Sequence, residues 1–286
     1  MKQLFITDLD HTFLHSTQQV SAYSKSIWNQ YAQTTPISVA TARSYNKTLE
    51  FLQGMHLNSP LILLDGAMVV TPEKELIDIK TLPASIVDAI IHLGEHRYDI
   101  LPFVISLNDH HSLAESFAVP KRLNHFQSTL ITQSYQHDPR IYYPSQLKAP
   151  QDTLKVVYMG AEEILRPLSI ELKQNFGSDI EVKLSPENYM QCYFLTILHP
   201  LGDKAHALKK VCEYLDTPLE HTTVFGDGIN DIEMFKLAGR SIAVSNAIKE
   251  LKAHATLTLP YSNDDDAVAR YLSKLKLESY SPLHNG

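Results

Sequence analysis

The 286-residue sequence is short of cysteine, of basic charge and of long apolar runs, and each shortage removes a class of answers. Cys192 and Cys212 are its two cysteines. They have no metal-ligand spacing and cannot build a disulfide framework, which suits a reducing compartment. Lysine and arginine number 25 against 32 aspartates and glutamates, a net charge of −7. With no basic stripe, nucleic acid and anionic membrane are poor candidates as partners. No apolar stretch approaches the ~20 residues that a membrane helix needs. The opening MKQLFITDLD meets acidic residues too early for a signal peptide. A cytoplasmic location is therefore expected, and the Asn46-Lys47-Thr48 sequon is read as accidental. Internal repeats and low-complexity linkers are also missing.

What is present is a chain long enough, at 44% hydrophobic residues, for one large domain or two ordinary ones. Leu4-Phe5-Ile6 reads as a strand. Val20, Tyr23, Ile27, Trp28 and Tyr31 recur at helical spacing behind a cap at Ser21. Residues 36–40 read as a second strand, and Leu61-Ile62-Leu63-Leu64 as a third, uninterrupted one of the kind covered on both faces. Strand and helix in alternation predict a Rossmann-like, doubly wound α/β sheet. From about Leu82 the texture changes. A helix over 84–93, a strand over 101–106, a proline- and histidine-bearing middle, a strand over 155–159, a helix over 161–176 and strands near 180–184 and 189–197 predict an α+β insert. The opening texture then returns, with a helix over 205–215 and a strand over 222–225. A helix from about Asp231, a strand over 241–244 and helices over 247–253 and 266–275 follow. The predicted architecture is one α/β core, residues 1–81 and 190–286, split by an inserted domain over 82–189.

Four polar clusters fall at strand ends or helix starts. Asp8-Leu9-Asp10-His11-Thr12 follows the first strand, Thr41 the second, Lys204 opens a helix, and Gly226-Asp227-Gly228-Ile229-Asn230-Asp231 follows the strand ending at Phe225. In open α/β sheets ligands gather at the carboxyl edge of the strands. Taken singly, D-x-D is a common turn or cap, Thr41 a turn residue and Lys204 a solvated helix start. Extended geometry points residues two apart the same way, so Asp8 and Asp10 repel unless a cation or a reaction uses them. In the glycine-flanked cluster, two glycines around an acid are expected to supply unusual backbone dihedrals. Carboxylates massed in one crevice suit a hard divalent cation, and Mg²⁺ takes oxygen ligands, waters and a substrate phosphate. A lysine and a threonine hydroxyl suit the outer oxygens of a phosphoryl group.

These residues resemble the haloacid dehalogenase superfamily, and most closely its Cof-type phosphatases. The resemblance covers about 1–81 and 190–275. Its motifs appear as Asp8-x-Asp10-x-Thr12, Thr41, Lys204 and the intact GDGxND at 226–231, with further likeness at Ala243–Ala247 and Asn263–Asp266. It implies a Mg²⁺-dependent phosphatase in which Asp8 attacks phosphorus to give an aspartyl-phosphate, with Asp10 as general acid and then base. By the same resemblance Mg²⁺ is held by the Asp8 side chain, the Asp10 carbonyl and Asp227, with Asp231 close or acting through water. Thr41, Ala42 and Lys204 would hold the phosphoryl group, and Asn230 would touch phosphate or orient Lys204. The insert resembles a C2-type cap that closes over the site and sets substrate choice. The expected partner is a small phosphorylated metabolite, foremost a sugar phosphate, for a monomer or weak homodimer.

The chain departs from the pattern at several places. His11 stands where glycine is usual, and its tolerance of positive φ is expected to preserve the turn; narrowing the entrance or contacting the substrate stays open for it. Ala42 replaces a glycine, Asp65-Gly66-Ala67 replaces Asn-Gly-Ala, and Ala267 stands where glycine is common. Arg43, Arg140, Tyr142 and Tyr143 are candidate substrate contacts. His110, His111 and the other scattered histidines read as surface loop residues. The rival readings are a phosphomutase of the same superfamily, which returns the phosphoryl to its substrate, a receiver-like phosphorylated module, and a non-catalytic sugar-phosphate sensor.

Overall fold

The opening apolar run becomes β1 (Leu4–Thr7), buried at every residue. The computed structural model describes residues 3–187 and 190–280. Ser21 caps α1 (Ala22–Tyr31), accepting from the Ser24 amide at 2.9 Å, as its side chain predicts. β2 (Ile37–Val39), α2 (Tyr45–Phe51) and β3 (Leu61–Leu63) continue the alternation, followed by β4 (Met68–Val70) and β5 (Leu76–Ile79). The middle of the chain holds α3 (Ala84–Tyr98), β6 (Phe103–Asp109), β7 (Ala114–Ala118), α4 (His125–Ser134) and β8 (Ile141–Tyr142). It continues with β9 (Thr153–Gly160), α5 (Glu162–Phe176), β10 (Glu181–Glu187) and β11 (Cys192–Leu198). α6 (Lys204–Leu215), β12 (Thr222–Gly226), α7 (Ile232–Leu237) and β13 (Arg240–Ala243) then restore the α/β rhythm. α8 (Lys249–Lys252), β14 (Leu257–Thr258) and α9 (Ala267–Tyr280) complete it.

The chain divides into two compact units, with the breaks at 77/78 and 203/204. The first unit carries a five-stranded sheet in the order β14-β13-β12-β1-β2, parallel throughout. Ala40 bridges Ile62 in the same sense, joining β3, whose sheet with β4 and β5 is separate. Because β1 and β12 are buried along their length, both faces of this sheet are covered; α1 packs against α9, and α6 against α7. This is the doubly wound sheet that the alternation predicts. The strand order reverses at β1, where the chain runs out one way through β2 and returns on the other side at β12. Such a switch point opens a crevice beyond the strand ends. The register pairs Thr7 with Phe225, so the residues after β1 and those closing β12 emerge side by side.

The second unit has a six-stranded sheet, β10-β11-β9-β6-β7-β8, antiparallel except between β7 and β8. Val104, Val156, Tyr158, Leu195 and Ile197 from the sheet and Val87, Ile90, Leu165, Leu168 and Leu172 from α3 and α5 form its core. At about 25 cal/mol per Å² of apolar surface removed from water, such fully buried aliphatic side chains stabilise by about 1.5–3 kcal/mol each. The unit starts before residue 82 and ends after 189, beyond the span read from the sequence. β11 is hydrogen-bonded to β9 and β10, which carries residues 192–198 into this unit. Tyr189, where the sequence starts that strand, lies outside the described residues. β7, α4 and β8 occupy the proline- and histidine-bearing middle, where no elements were predicted.

Candidate active site

The loop after β1 is built around Leu9, whose carbonyl accepts from the Thr12, Phe13 and Leu14 amides at 3.3, 3.0 and 2.8 Å. His11 lies in the left-handed region at φ 57°, so the turn survives without glycine. The His11 carbonyl accepts from Asn246 Nδ2 at 2.8 Å, and Asn263 Nδ2 donates to the Leu14 carbonyl at 2.9 Å. Asp264 takes the Ser16 amide and hydroxyl, both at 2.7 Å. Asp266 accepts the Ser21 and Ser24 hydroxyls at 2.6 and 2.8 Å and meets His15 Nε2 at 2.9 Å. The downstream stretches at 243–247 and 263–266 thus act as clamps on the first loop.

Asp8, buried to 6% exposure, donates its amide to the Phe225 carbonyl at 3.0 Å, which ties the first loop to β12. Thr12 Oγ1 donates to Asp227 Oδ1 at 3.0 Å, a second tie. In the loop after β12, fully buried Asp231 turns back on its own backbone. Its Oδ2 accepts from the Asp227 and Gly228 amides, each at 3.1 Å. Neither flanking glycine has positive φ, which corrects the expectation of unusual dihedrals. The glycines are there for room. A Cβ on Gly226 would sit 2.5 Å from Asp231 Oδ2, and one on Gly228 would sit 2.9 Å from Asn230 Oδ1.

Lys204, the first residue of α6 and wholly buried, donates from Nζ to Asp8 Oδ1 and to Asp231 Oδ1, both at 2.7 Å. Asp8, Asp227 and Asp231 each bring one carboxylate oxygen within 4.8 Å of the others. Burial pushes the Asp8 carboxyl well above its usual range; Lys204 pulls it back, and the charges of Asp231 and Asp227 push with burial. Burial and the Asp231 charge drive Asp227 up to about 6 against the Thr12 hydroxyl. Burial alone would lower the Lys204 ammonium, but Asp231 and Asp8 outweigh it and hold its proton more tightly than usual. Three carboxylates therefore face one ammonium in a dry setting, an arrangement that is uphill for the anions until another cation joins them. The donor set is all oxygen and hard, so a divalent cation of the Mg²⁺ type fits. Asp8 and Asp227 would hold it, with Asp231 behind, since both Asp231 oxygens already accept from protein donors.

The remaining predicted residues form a second set of contacts. Asp10 is not part of it; its carboxylate is bound at the rim by Arg43, through Nε at 2.8 Å and Nη2 at 2.5 Å. Thr41 is fully buried, and its Oγ1 accepts the Arg43 amide at 3.2 Å; Ala42 is exposed between them. Asn230 Nδ2 lies 3.5 Å from Asp65 Oδ1, and the Asp65 amide donates to the Thr41 carbonyl at 2.9 Å. Asp65 is buried at φ 64°, and the residue that departs from the pattern lies between Asn230 and the Thr41 backbone. Reasoning from sequence took Arg43 as a candidate substrate contact and missed its pairing with Asp10, which spacing along the chain does not announce. In the second unit, Arg140 is held by Glu115 at 2.7 Å and by Asp138 at 2.5 Å rather than presented to a ligand. Tyr142 and Tyr143 are exposed. His110 and His111 lie exposed in the loop after β6, with His110 against Asp152 at 3.0 Å, as expected of surface loop histidines.

Comparison with known proteins gives a consistent picture. Residues 5–272 match the haloacid dehalogenase-like hydrolase family. The chain is 24% identical over 278 residues to the 5-amino-6-(5-phospho-D-ribitylamino)uracil phosphatase YitU of Bacillus subtilis, covering 95% of this chain and 96% of that protein. It is 24% identical over 277 residues to the HMP-PP phosphatase of Cronobacter sakazakii, covering 96% and 95%. Among solved structures, SMU.1108c from Streptococcus mutans UA159 shares the fold with a TM-score of 0.80 at 21% identity, covering 97% of this chain and all of that one. With its motif residues gathered at the carboxyl edge of the parallel sheet, the chain belongs to the haloacid dehalogenase-like hydrolase family, among its Cof-type phosphatases.

Proposed function

We propose that this enzyme is a Mg²⁺-dependent phosphatase of small phosphorylated metabolites, foremost sugar phosphates, working through an aspartyl-phosphate on Asp8. The observation that carries the reading is the buried contact of Lys204 with both Asp8 and Asp231, with Asp227 beside them, at the switch point of the sheet. Asp8 attacks phosphorus, forming an Asp8 oxygen–phosphorus bond as the bond to the substrate's ester oxygen breaks. Asp10 gives that oxygen its proton, then takes one from the water that attacks the acyl phosphate; inorganic phosphate leaves and Asp8 is restored. Lys204 and the Thr41 hydroxyl hold phosphoryl oxygens, and the backbone at Ala42 and the Asn230 amide support them. Mg²⁺, when bound, supplies positive charge that keeps Asp8 anionic and offsets charge building on the phosphoryl group. The relatives named for phosphatases support this class of reaction, and the printed substrate of one is a phosphorylated ribityl compound.

The second unit, with a sheet and core of its own, is the segment to which we assign substrate choice, as a cap. The proposal includes a cytoplasmic monomer or weak dimer; among the described residues no helix is long and apolar enough to cross a membrane. The test is phosphate release from a panel of sugar phosphates, nucleotides, pyridoxal phosphate and p-nitrophenyl phosphate, run with Mg²⁺ and with EDTA. Release that requires the metal is expected. A wild-type enzyme that instead returns an isomerised sugar phosphate with little free phosphate would replace this reading by a phosphomutase.

A further inference from the structure

Arg43 is fixed at both ends. Its amide donates to Thr41 Oγ1 at 3.2 Å and its carbonyl accepts from Leu64 at 3.0 Å, so the backbone is pinned to the second loop and to the end of β3. Its guanidinium carbon lies 4.1 Å from the centroid of the Phe51 ring on α2, which steadies the plane of the group. The two nitrogens facing Asp10 then form a fork, Nε on Oδ2 at 2.8 Å and Nη2 on Oδ1 at 2.5 Å. The other motif carboxylates are held differently: Asp8 and Asp231 by the buried Lys204, and Asp227 by Thr12. Asp10 is directed to a separate cation at the rim, with 35% of its side chain exposed and 21% of that of Arg43.

An ion pair this open to solvent stabilises a fold little. What a planar two-point fork supplies is direction, and a small misplacement of a reacting group is expensive in rate. We propose that Arg43 is a positioning residue for Asp10, holding its carboxylate where it meets the ester oxygen that leaves the substrate. The inference rests on the phosphatase reading above. Proton transfer to the leaving oxygen matters in proportion to how poorly that oxygen departs as an anion. A sugar alkoxide needs the proton; p-nitrophenolate leaves readily without it. An arginine that only braced the fold, or only bound the phosphoryl group, would affect both substrates alike.

The experiment measures kcat/KM for a hexose 6-phosphate and for p-nitrophenyl phosphate in the wild type, Arg43→Ala, Asp10→Asn and the double variant, with thermal unfolding of each as the check on folding. Arg43→Ala is expected to lose about 10²-fold on the sugar phosphate, the scale of general acid catalysis, and at least about 10-fold less on p-nitrophenyl phosphate. In the Asp10→Asn background, removing Arg43 is expected to cost nothing further on the sugar phosphate, because the residue acts through Asp10. Arg43→Lys keeps the charge and loses the fork, and it is expected to show the same substrate-selective loss; it serves as the test if the alanine variant does not fold. Equal losses on the two substrates, or a further loss in the Asp10→Asn background, would overturn the positioning role while leaving the phosphatase intact. A wild type that releases phosphate from neither substrate would overturn both.

Discussion

Adding one carbon to Gly226 attacks the centre of the site without replacing a motif carboxylate. A Cβ there would lie 2.5 Å from Asp231 Oδ2, 2.7 Å from its Cγ and 2.8 Å from its Cβ, so the whole side chain is in the way. Asp231 has nowhere cheap to go: it is fully buried, and its oxygens are engaged with Lys204 and with the Asp227 and Gly228 amides. Overpacking of a tight interior costs about 1–3 kcal/mol. At about 2–4 °C per kcal/mol for a domain of 150–250 residues, Gly226→Ala is expected to lower Tm by about 4–8 °C for a 2 kcal/mol loss. A displacement near 1 Å in the catalytic cluster is expected to cost about 10²-fold in turnover. Gly228→Ala is the built-in control. Its Cβ would meet Asn230 Oδ1 at 2.9 Å, the end of a half-buried side chain that can swing aside, so a smaller loss on both scales is expected. Thermal unfolding and phosphate release on the two variants decide it. Gly226→Ala at wild-type Tm and turnover would refute the claim that Asp231 is locked in place.

Two further perturbations follow from the same contacts. Lys204→Met removes the ammonium that Asp8 and Asp231 share and leaves buried carboxylates unpaired, so a loss of about 3–5 kcal/mol in urea unfolding is expected; a stability within 1 kcal/mol of wild type would contradict the pairing. Asp266 feels a burial penalty, but the Ser21, Ser24 and His15 hydrogen bonds outweigh it and lower its pKa. A carboxyl depressed in the folded state stabilises above its unfolded pKa of about 3.9, and that contribution fades as pH falls through the folded value. Asp266→Ala is therefore expected to be clearly less stable than wild type at pH 7, with the gap narrowing progressively as pH falls below the unfolded value of about 3.9; a stability gap that stays constant with pH would refute the assignment.

The parallel core was legible because its signals are local. Apolar strands ran straight into polar residues at Asp8, Thr41 and Gly226, and their chain order alone implied a common edge. Contacts set by long side chains were not legible. Nothing in the spacing said that Arg43 would fold back on Asp10, or that Arg140 would be taken up by Glu115 and Asp138. The role of the glycines was misassigned for a related reason. Dihedral freedom is the usual local explanation, whereas the demand at Gly226 and Gly228 comes from side chains up to five residues later. In the second unit, two-residue β8 and the polar helix α4 carry too little periodicity to announce themselves. β11, past the boundary expected near 190, pairs with β9 and β10, strands that lie earlier in the chain and that local patterning does not connect to it.

The central claim is that Asp8 becomes the phosphate carrier, and a rapid-quench experiment with ³²P-labelled sugar phosphate tests it most directly. In the wild type with Mg²⁺, label is expected on the peptide containing Asp8 within one turnover, fading as free phosphate appears. Asp8→Asn and wild type in EDTA are expected to show neither label nor release. Phosphate release by Asp8→Asn at the wild-type rate, with no label on that peptide in the wild type, would contradict the account.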